Sequence, residues 1–140
     1  MTIREGDLVR VAPLYFELID PRKNHKKFWE IAPAEWDRTG YITTFTTAWG
    51  RIGCKGQSKK RSAGSEHKLN EMIYSKERKG YVRKKRPSSR ATVQIEGLED
   101  GNVGLVIEVN PRSYRPTATL LLDGQLVHFP IRFLTVISSG

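Results

Sequence analysis

The chain has 140 residues, 38% of them hydrophobic, and a mean hydropathy of −0.50, which suits one ordinary domain or two very small ones with a real core. Apolar runs such as Leu14-Tyr15-Phe16 and Leu120-Leu121-Leu122 fall far short of the roughly 20 residues that span a bilayer, the opening MTIREGD is not a signal peptide, and one cysteine with three histidines excludes an internal disulfide and argues against a zinc site. The net charge of +9 is concentrated: residues 51–90 carry fourteen Lys and Arg against Glu66, Glu71 and Glu77, the footprint of a polyanion partner unless it is only a solvated basic face.

In chain order, residues 7–11 (DLVRV) alternate as a strand closed by Pro13. Residues 14–20 (LYFELID) read as a second strand and residues 21–26 (PRKNHK) as a turn. Residues 27–33 (KFWEIAP) alternate as a third strand, and Asp37-Arg38-Thr39-Gly40 is a hairpin turn. Residues 41–49 form a strand that runs into the most distinctive stretch, TTFTTAWGRIGCKGQ at 43–57. There Trp49 sits near Arg51, and Gly50, Gly53 and Gly56 recur every third residue. Such a backbone can turn sharply and hold an aromatic and a cation against a flat, negatively charged target.

Residues 58–64 read as an exposed loop carrying Lys59, Lys60 and Arg61. Ser65 is placed to cap a helix over 66–79, with Leu69, Met72 and Ile73 as its apolar stripe and Gly80 as its stop. Residues 82–89 (VRKKRPSS) read as a basic tether that orders on a polyanion. RKKRP also fits a nuclear-localisation run, a pattern that arises often by chance. Beyond it, short strands at 92–96, 103–109, 117–122, 127–130 and 133–137, with turns at 97–102, 110–116 and 123–125, predict a small barrel without a helix.

The residues Leu14-Tyr15-Phe16-Glu17-Leu18-Ile19-Asp20, Asn24-His25-Lys26-Lys27-Phe28-Trp29-Glu30-Ile31, Trp49-Gly50-Arg51-Ile52-Gly53 with Gly56-Gln57, then a helix, and Lys76 with Lys79-Gly80-Tyr81, in that order, resemble a WGR domain. This is the DNA-binding module of poly(ADP-ribose) polymerases and of various bacterial proteins. The resemblance covers residues 13–83 and implies a twisted antiparallel sheet with one helix laid on it. It also implies that Trp49 packs on the sugar at a DNA end or break, with Arg51 beside it. Lys55 and Gln57 follow in the loop, and Tyr81 takes the closing aromatic position. Cys54 departs from the Thr or Ser frequent in the family, a small change. In the polymerases the module relays DNA binding to a catalytic domain, a role that is not expected to transfer to the residues present here.

A weaker resemblance concerns the two ends. Residues 5–11, 104–109, 119–124 and 129–134 resemble strands of a Src-homology-3-like or KOW-like barrel. The expected fold class is therefore mainly β (α+β): the WGR-like sheet and helix plus a small β-barrel. In one arrangement residues 1–12 and 91–140 form the barrel, residues 13–83 are inserted in it, and residues 84–90 are a basic linker. In the other, residues 1–82 and 91–140 are tandem units.

Residue chemistry supports the nucleic-acid reading by itself. An aromatic beside a cation can stack on a sugar or base, an interaction of about 1–3 kcal/mol per base, and neutralise a phosphate. Lys59, Lys60, Arg61, Lys79, Arg83, Lys84, Lys85 and Arg86 can add phosphate contacts, with affinity then falling on the order of 10³-fold between low and physiological salt. Two alternatives stand beside this: Trp49 as buried core, and Arg51 as a salt-bridge partner of Asp20 or Glu30. An enzyme is not expected, because Cys54 with His67 or His25 lacks an orienting partner, and no cofactor or metal is expected. Double-stranded DNA is the expected partner, contacted through its backbone, in the cytoplasm or on the nucleoid of a bacterial or phage source. The alternative is a protein-interaction or structural component, for example a phage virion part or inhibitor, that docks through Tyr114, Phe129 and Phe133.

Overall fold

A computed structural model describes residues 2–62, 66–90, 103–110 and 116–140. These residues are mainly β, in two five-stranded antiparallel sheets with a single α-helix among them. Five of the strands and the helix come from the middle of the chain: β2 (Leu14–Asp20), β3 (His25–Trp36), β4 (Ile42–Arg51), β5 (Gln57–Ser62), α1 (Glu66–Arg78) and β6 (Val82–Lys84). These strands form the first sheet in the order β5-β4-β3-β2-β6.

Turn chemistry sets the strand ends. The Asp20 carboxylate accepts from the Arg22 N–H at 3.1 Å, and Asn24 takes the left-handed conformation (φ +51°) that returns the chain into β3. At the next turn the Asp37 carboxylate accepts from the backbone of Thr39 (2.9 Å) and Tyr41 (3.1 Å) and from the Thr39 hydroxyl. These bonds hold its pKa below the ordinary aspartate range, the Thr39 hydroxyl contributing most. Pro33 does not end β3, which continues to Trp36. Pairing with β2 stops at Ile31, so beyond it β3 has a neighbour only on the β4 side, and the proline needs no second partner.

Two further expectations are corrected here. Of the loop expected at 58–64, the described residues are not a loop: Gln57–Ser62 is a strand paired with β4 over Thr44–Trp49. It is an edge strand, and edges carry Lys and polar side chains that block further pairing, so it lacks the apolar alternation that marks a strand. Nor is 82–89 a tether. Val82–Lys84 pairs with β2, and Arg86 and Arg90 turn inward. The helix closes on Gly80 (φ +101°), with the Gly80 N–H donating to Glu77 O (3.0 Å) and the Tyr81 N–H to Lys76 O (3.2 Å). Ser65, expected as its cap, lies outside the described residues.

The second sheet joins the ends of the chain: β1 (Leu8–Val11), β7 (Val103–Asn110), β8 (Thr117–Leu122), β9 (Gln125–Pro130) and β10 (Leu134–Ser138), in the order β10-β1-β7-β8-β9. Asp123 and Gly124, both at positive φ (50° and 78°), make the two-residue turn between β8 and β9. The strand expected at 92–96 and the turns at 97–102 and 110–116 fall wholly or largely outside the described residues. Phe129 and Phe133 are core side chains, which removes them from the docking surface expected of them, and Tyr114 is not among the described residues.

One apolar core runs between the sheets: Phe16, Trp29, Ile31 and Phe45 of the first sheet meet Leu69 and Ile73 of the helix and Val9, Val11, Val106, Leu120, Val127 and Phe129 of the second sheet. Burying each such side chain contributes about 1.5–3 kcal/mol. Polar links reinforce the seam: the Ala12 N–H donates to Phe133 O (3.1 Å), the His128 N–H to Gly40 O (2.8 Å), and Arg132 to the buried Asn70 side chain. Among the described residues no helix is long and apolar enough to cross a membrane.

Candidate nucleic-acid interface

Side chains alternate across the first sheet, and its two faces differ. On one face Trp29 pairs with Trp49, and Lys27 with Arg51, across β3 and β4. The helix covers this face at Trp29 and leaves a cleft of about 500 Å³ lined by Asn24, His25, Lys27, Trp49, Arg51, Lys76 and Tyr81, among others. Trp49 is half-buried, packed on the core on one side and lining the cleft on the other, so both readings of it hold in part.

Lys76 defines the cleft electrostatically. Its Nζ lies 5.7 Å from the Trp29 ring centroid and 5.4 Å from that of Tyr81, positions that attract a cation to each ring face. Burial is the largest cause holding its pKa below the ordinary lysine range, followed by the nearby charges of Lys79, Arg61 and Lys27. Burial also raises the Tyr81 hydroxyl. Among the described residues no carboxylate pairs with Lys27, Arg51, Arg61, Lys76 or Lys79. Cations crowded together without counterions around exposed aromatic surface favour an incoming polyanion.

The glycines shape the edge of the cleft by two different means. Gly53 (φ +93°) and Gly56 (φ +76°) turn the loop, whereas Gly50 is needed for space: a Cβ there would lie 2.8 Å from Gly56 Cα. Gly56 is confined as well, since a Cβ on it would stand 2.7 Å from Phe28 Cζ.

The opposite face is compensated. Glu30, 0% exposed, accepts from Arg86 Nε (2.7 Å) and from Arg90. Tyr15 donates to Glu17 at 2.7 Å, and burial pushes its hydroxyl well above the ordinary tyrosine range. Lys60 binds Glu35 at 3.0 Å and is the largest influence lowering that carboxyl.

The sequence-predicted residues divide accordingly. Trp49, Arg51 and Tyr81 come together in the cleft, Lys79 stands beside Lys76, and Gln57 faces Trp49 across β4 and β5. Arg61 is on the cleft face, its Nε donating to Thr47 Oγ1 at 3.1 Å, and Lys59 is two residues from it on the same strand. Five lie elsewhere: Lys55 in the loop, Lys60 on Glu35, Lys84 opposite Tyr15, Lys85 exposed beyond β6, and Arg86 on Glu30. Arg83 reaches across the seam to Arg132 O at 3.0 Å. The ion pair allowed for Arg51 with Asp20 or Glu30 is not formed: Glu30 faces the other side of the sheet, where Arg86 and Arg90 hold it, and Asp20 accepts from the Arg22 N–H. Lys27, Lys76 and His25 were missed. Lys76 had a signal: it falls at i+3 and i+4 from Ile73 and Met72, a cation on the stripe where an apolar residue belongs.

The described residues thus form a β-rich module with one helix that presents Trp49 and Arg51 in a basic cleft. The WGR domain family model matches residues 12–88. The chain belongs to the WGR domain family, and nucleic-acid binding in general comes with that membership. No curated protein and no solved structure matches the chain.

Proposed function

We propose that this protein binds double-stranded DNA at ends or breaks, as an accessory or regulatory factor rather than an enzyme, in the cytoplasm or on the nucleoid. The observation that carries the reading is the cleft, where half-buried Trp49 and exposed Arg51 are ringed by Lys27, Lys76 and Lys79 without counterions among the described residues. Stacking on Trp49 suits the exposed terminal nucleotide of a duplex, and the surrounding cations suit its phosphates. Residues 13–83 are the proposed binding module, carried in a small barrel of residues 1–12 and 91–140. The pairing of β1 with both β7 and β10 supports that arrangement.

The test is a fluorescence-anisotropy titration with blunt, nicked and single-stranded probes, and closed circular DNA as competitor, at two salt concentrations. Five neutralised phosphates give a slope of log K against log salt of about −4.5. Trp49→Ala should weaken end binding by about 10- to 100-fold. Binding that is indifferent to Trp49 and equal on closed circles would sink the reading.

A second reading, a protein partner on the second sheet, draws on Leu8, Leu105, Leu121 and Leu126, which align across β1, β7, β8 and β9. Three of them are 38–52% exposed. Capture of a partner that Leu121→Lys abolishes and Trp49→Ala spares would favour it.

A further inference from the structure

Arg90 is almost wholly buried, at 5% exposure, and lies 36 residues beyond Cys54 in sequence. Its guanidinium joins three separate parts of the first sheet. It pairs with Glu30 in the middle of β3, and it lies 3.9 Å from the ring centroid of Phe28, which itself stacks on Tyr15. Its Nη1 donates to the carbonyls of Cys54 (2.9 Å) and Lys55 (3.2 Å). Those two carbonyls belong to the turn between Arg51 and Gln57, and the same turn is closed by the Cys54 N–H on Arg51 O at 3.0 Å.

We infer that Arg90 is a positioning residue for nucleic-acid binding: braced on Glu30, it fixes the Cys54-Lys55 backbone and so the placement of Arg51 and Gln57 at the cleft. This inference rests on the nucleic-acid reading of that cleft. The geometry calls for arginine in particular. One planar guanidinium serves a carboxylate on one edge and two carbonyls on another while stacking on an aromatic face, and a lysine ammonium has neither the fork nor the plane. Glu30 is what makes the buried cation tolerable, since an unpaired charge there would be strongly disfavoured. Arg86 provides the comparison, since its Nε donates to the same Glu30 at 2.7 Å. The brace also ties the turn to the segment that follows β6, so the turn is held from outside its own hairpin.

The experiment compares the intact chain with Arg90→Lys, Arg86→Lys, Arg51→Ala and the Arg51→Ala/Arg90→Lys pair. Binding to a blunt duplex is read by anisotropy below each variant's unfolding transition. Arg90→Lys is expected to weaken binding about tenfold in the otherwise unaltered protein and less than twofold when Arg51 is already alanine, the non-additivity of residues that act together. Arg86→Lys is expected to lower the melting temperature while leaving binding within twofold.

A nitroxide on Cys54, the one cysteine, supplies a second readout. Its spectrum should sharpen, reporting a looser turn, in Arg90→Lys and stay broad in Arg86→Lys. If Arg90→Lys does not fold, Arg90→Gln, which leaves Glu30 paired with Arg86, takes its place in the same cycle. Duplex binding that depends on Trp49 but is unchanged, or additive with Arg51→Ala, in the Arg90 variants overturns the inference. An intact chain that shows no Trp49-dependent duplex binding overturns the nucleic-acid reading instead.

Discussion

Apart from Lys27, the two faces of the first sheet draw their cations from the same basic stretch and use them in opposite ways. On the cleft face, Lys27 and Arg51 are direct cross-strand partners, and Lys76 is crowded by Lys79 and Arg61 with no carboxylate in reach among the described residues. Like charges in such register cost stability. On the other face Arg86, Arg90 and Lys60 have acids: the two arginines share Glu30, and Lys60 binds Glu35. Net charge along the sequence therefore does not identify a binding surface. What separates the faces is where the few glutamates stand in the two-residue alternation of the strands. Tension is retained where a ligand can relieve it and removed where only folding matters.

The compensated face should break most severely. Glu30→Ala leaves the Arg90 and Arg86 guanidiniums without their buried partner and is expected to cost about 3–5 kcal/mol, lowering the urea midpoint by about 2 M in equilibrium unfolding. The glycine turn separates space from backbone conformation. Gly56→Ala drives a methyl into Phe28 and Trp49 at positive φ and should cost about 2 kcal/mol or more. Gly53→Ala meets nothing within 4 Å and should lose only the left-handed penalty of about 1 kcal/mol. Thermal unfolding of the two variants side by side checks the order.

Much of this was legible in the sequence where local rules govern. β2 runs from Leu14 to Asp20 as its bounding turns indicate, the helix follows its Leu69, Met72 and Ile73 stripe, and the Trp49–Arg51 motif marks the cleft. Illegible parts depend on register and distance. β5 was hidden because this edge strand is exposed along nearly its whole length and has no buried face to write as alternation. Glu30, a carboxylate inside the apolar run Phe28–Ala32, announced that it needed a cation, but nothing local identifies one 60 residues away. The encounter of Lys27 with Arg51 exists only once β3 and β4 are in register.

On the cleft face, Lys76→Met should leave the fold intact and change how pH and salt act on it. The folded pKa of Lys76 is depressed, so between that value and the ordinary lysine value the unfolded chain binds more protons, and stability rises with pH. Lys76→Met should remove that rise, while the raised tyrosines Tyr15 and Tyr81 keep their opposite trend above about pH 10. Duplex binding should weaken about fivefold at low salt, and the salt slope should become shallower by about 0.9. An unaltered slope would place Lys76 away from phosphate.

The smallest effect is expected from Lys60→Ala, which removes the same charge from the other face. Exposed ion pairs contribute little to stability, so the melting temperature should hardly move. The one titrating group that should respond is Glu35, whose carboxyl returns toward its ordinary range once Lys60 no longer lowers it. At neutral pH it stays ionised either way, so this shift is visible only on acidification. If net charge alone drew the chain to DNA, Lys60→Ala and Lys76→Met would flatten the salt slope equally. If the cleft does, Lys60→Ala should leave the slope within error and binding within about 1.5-fold, because a cation already neutralised by Glu35 releases no counterion from the duplex. The difference between these two slopes measures how far placement, rather than total charge, directs binding.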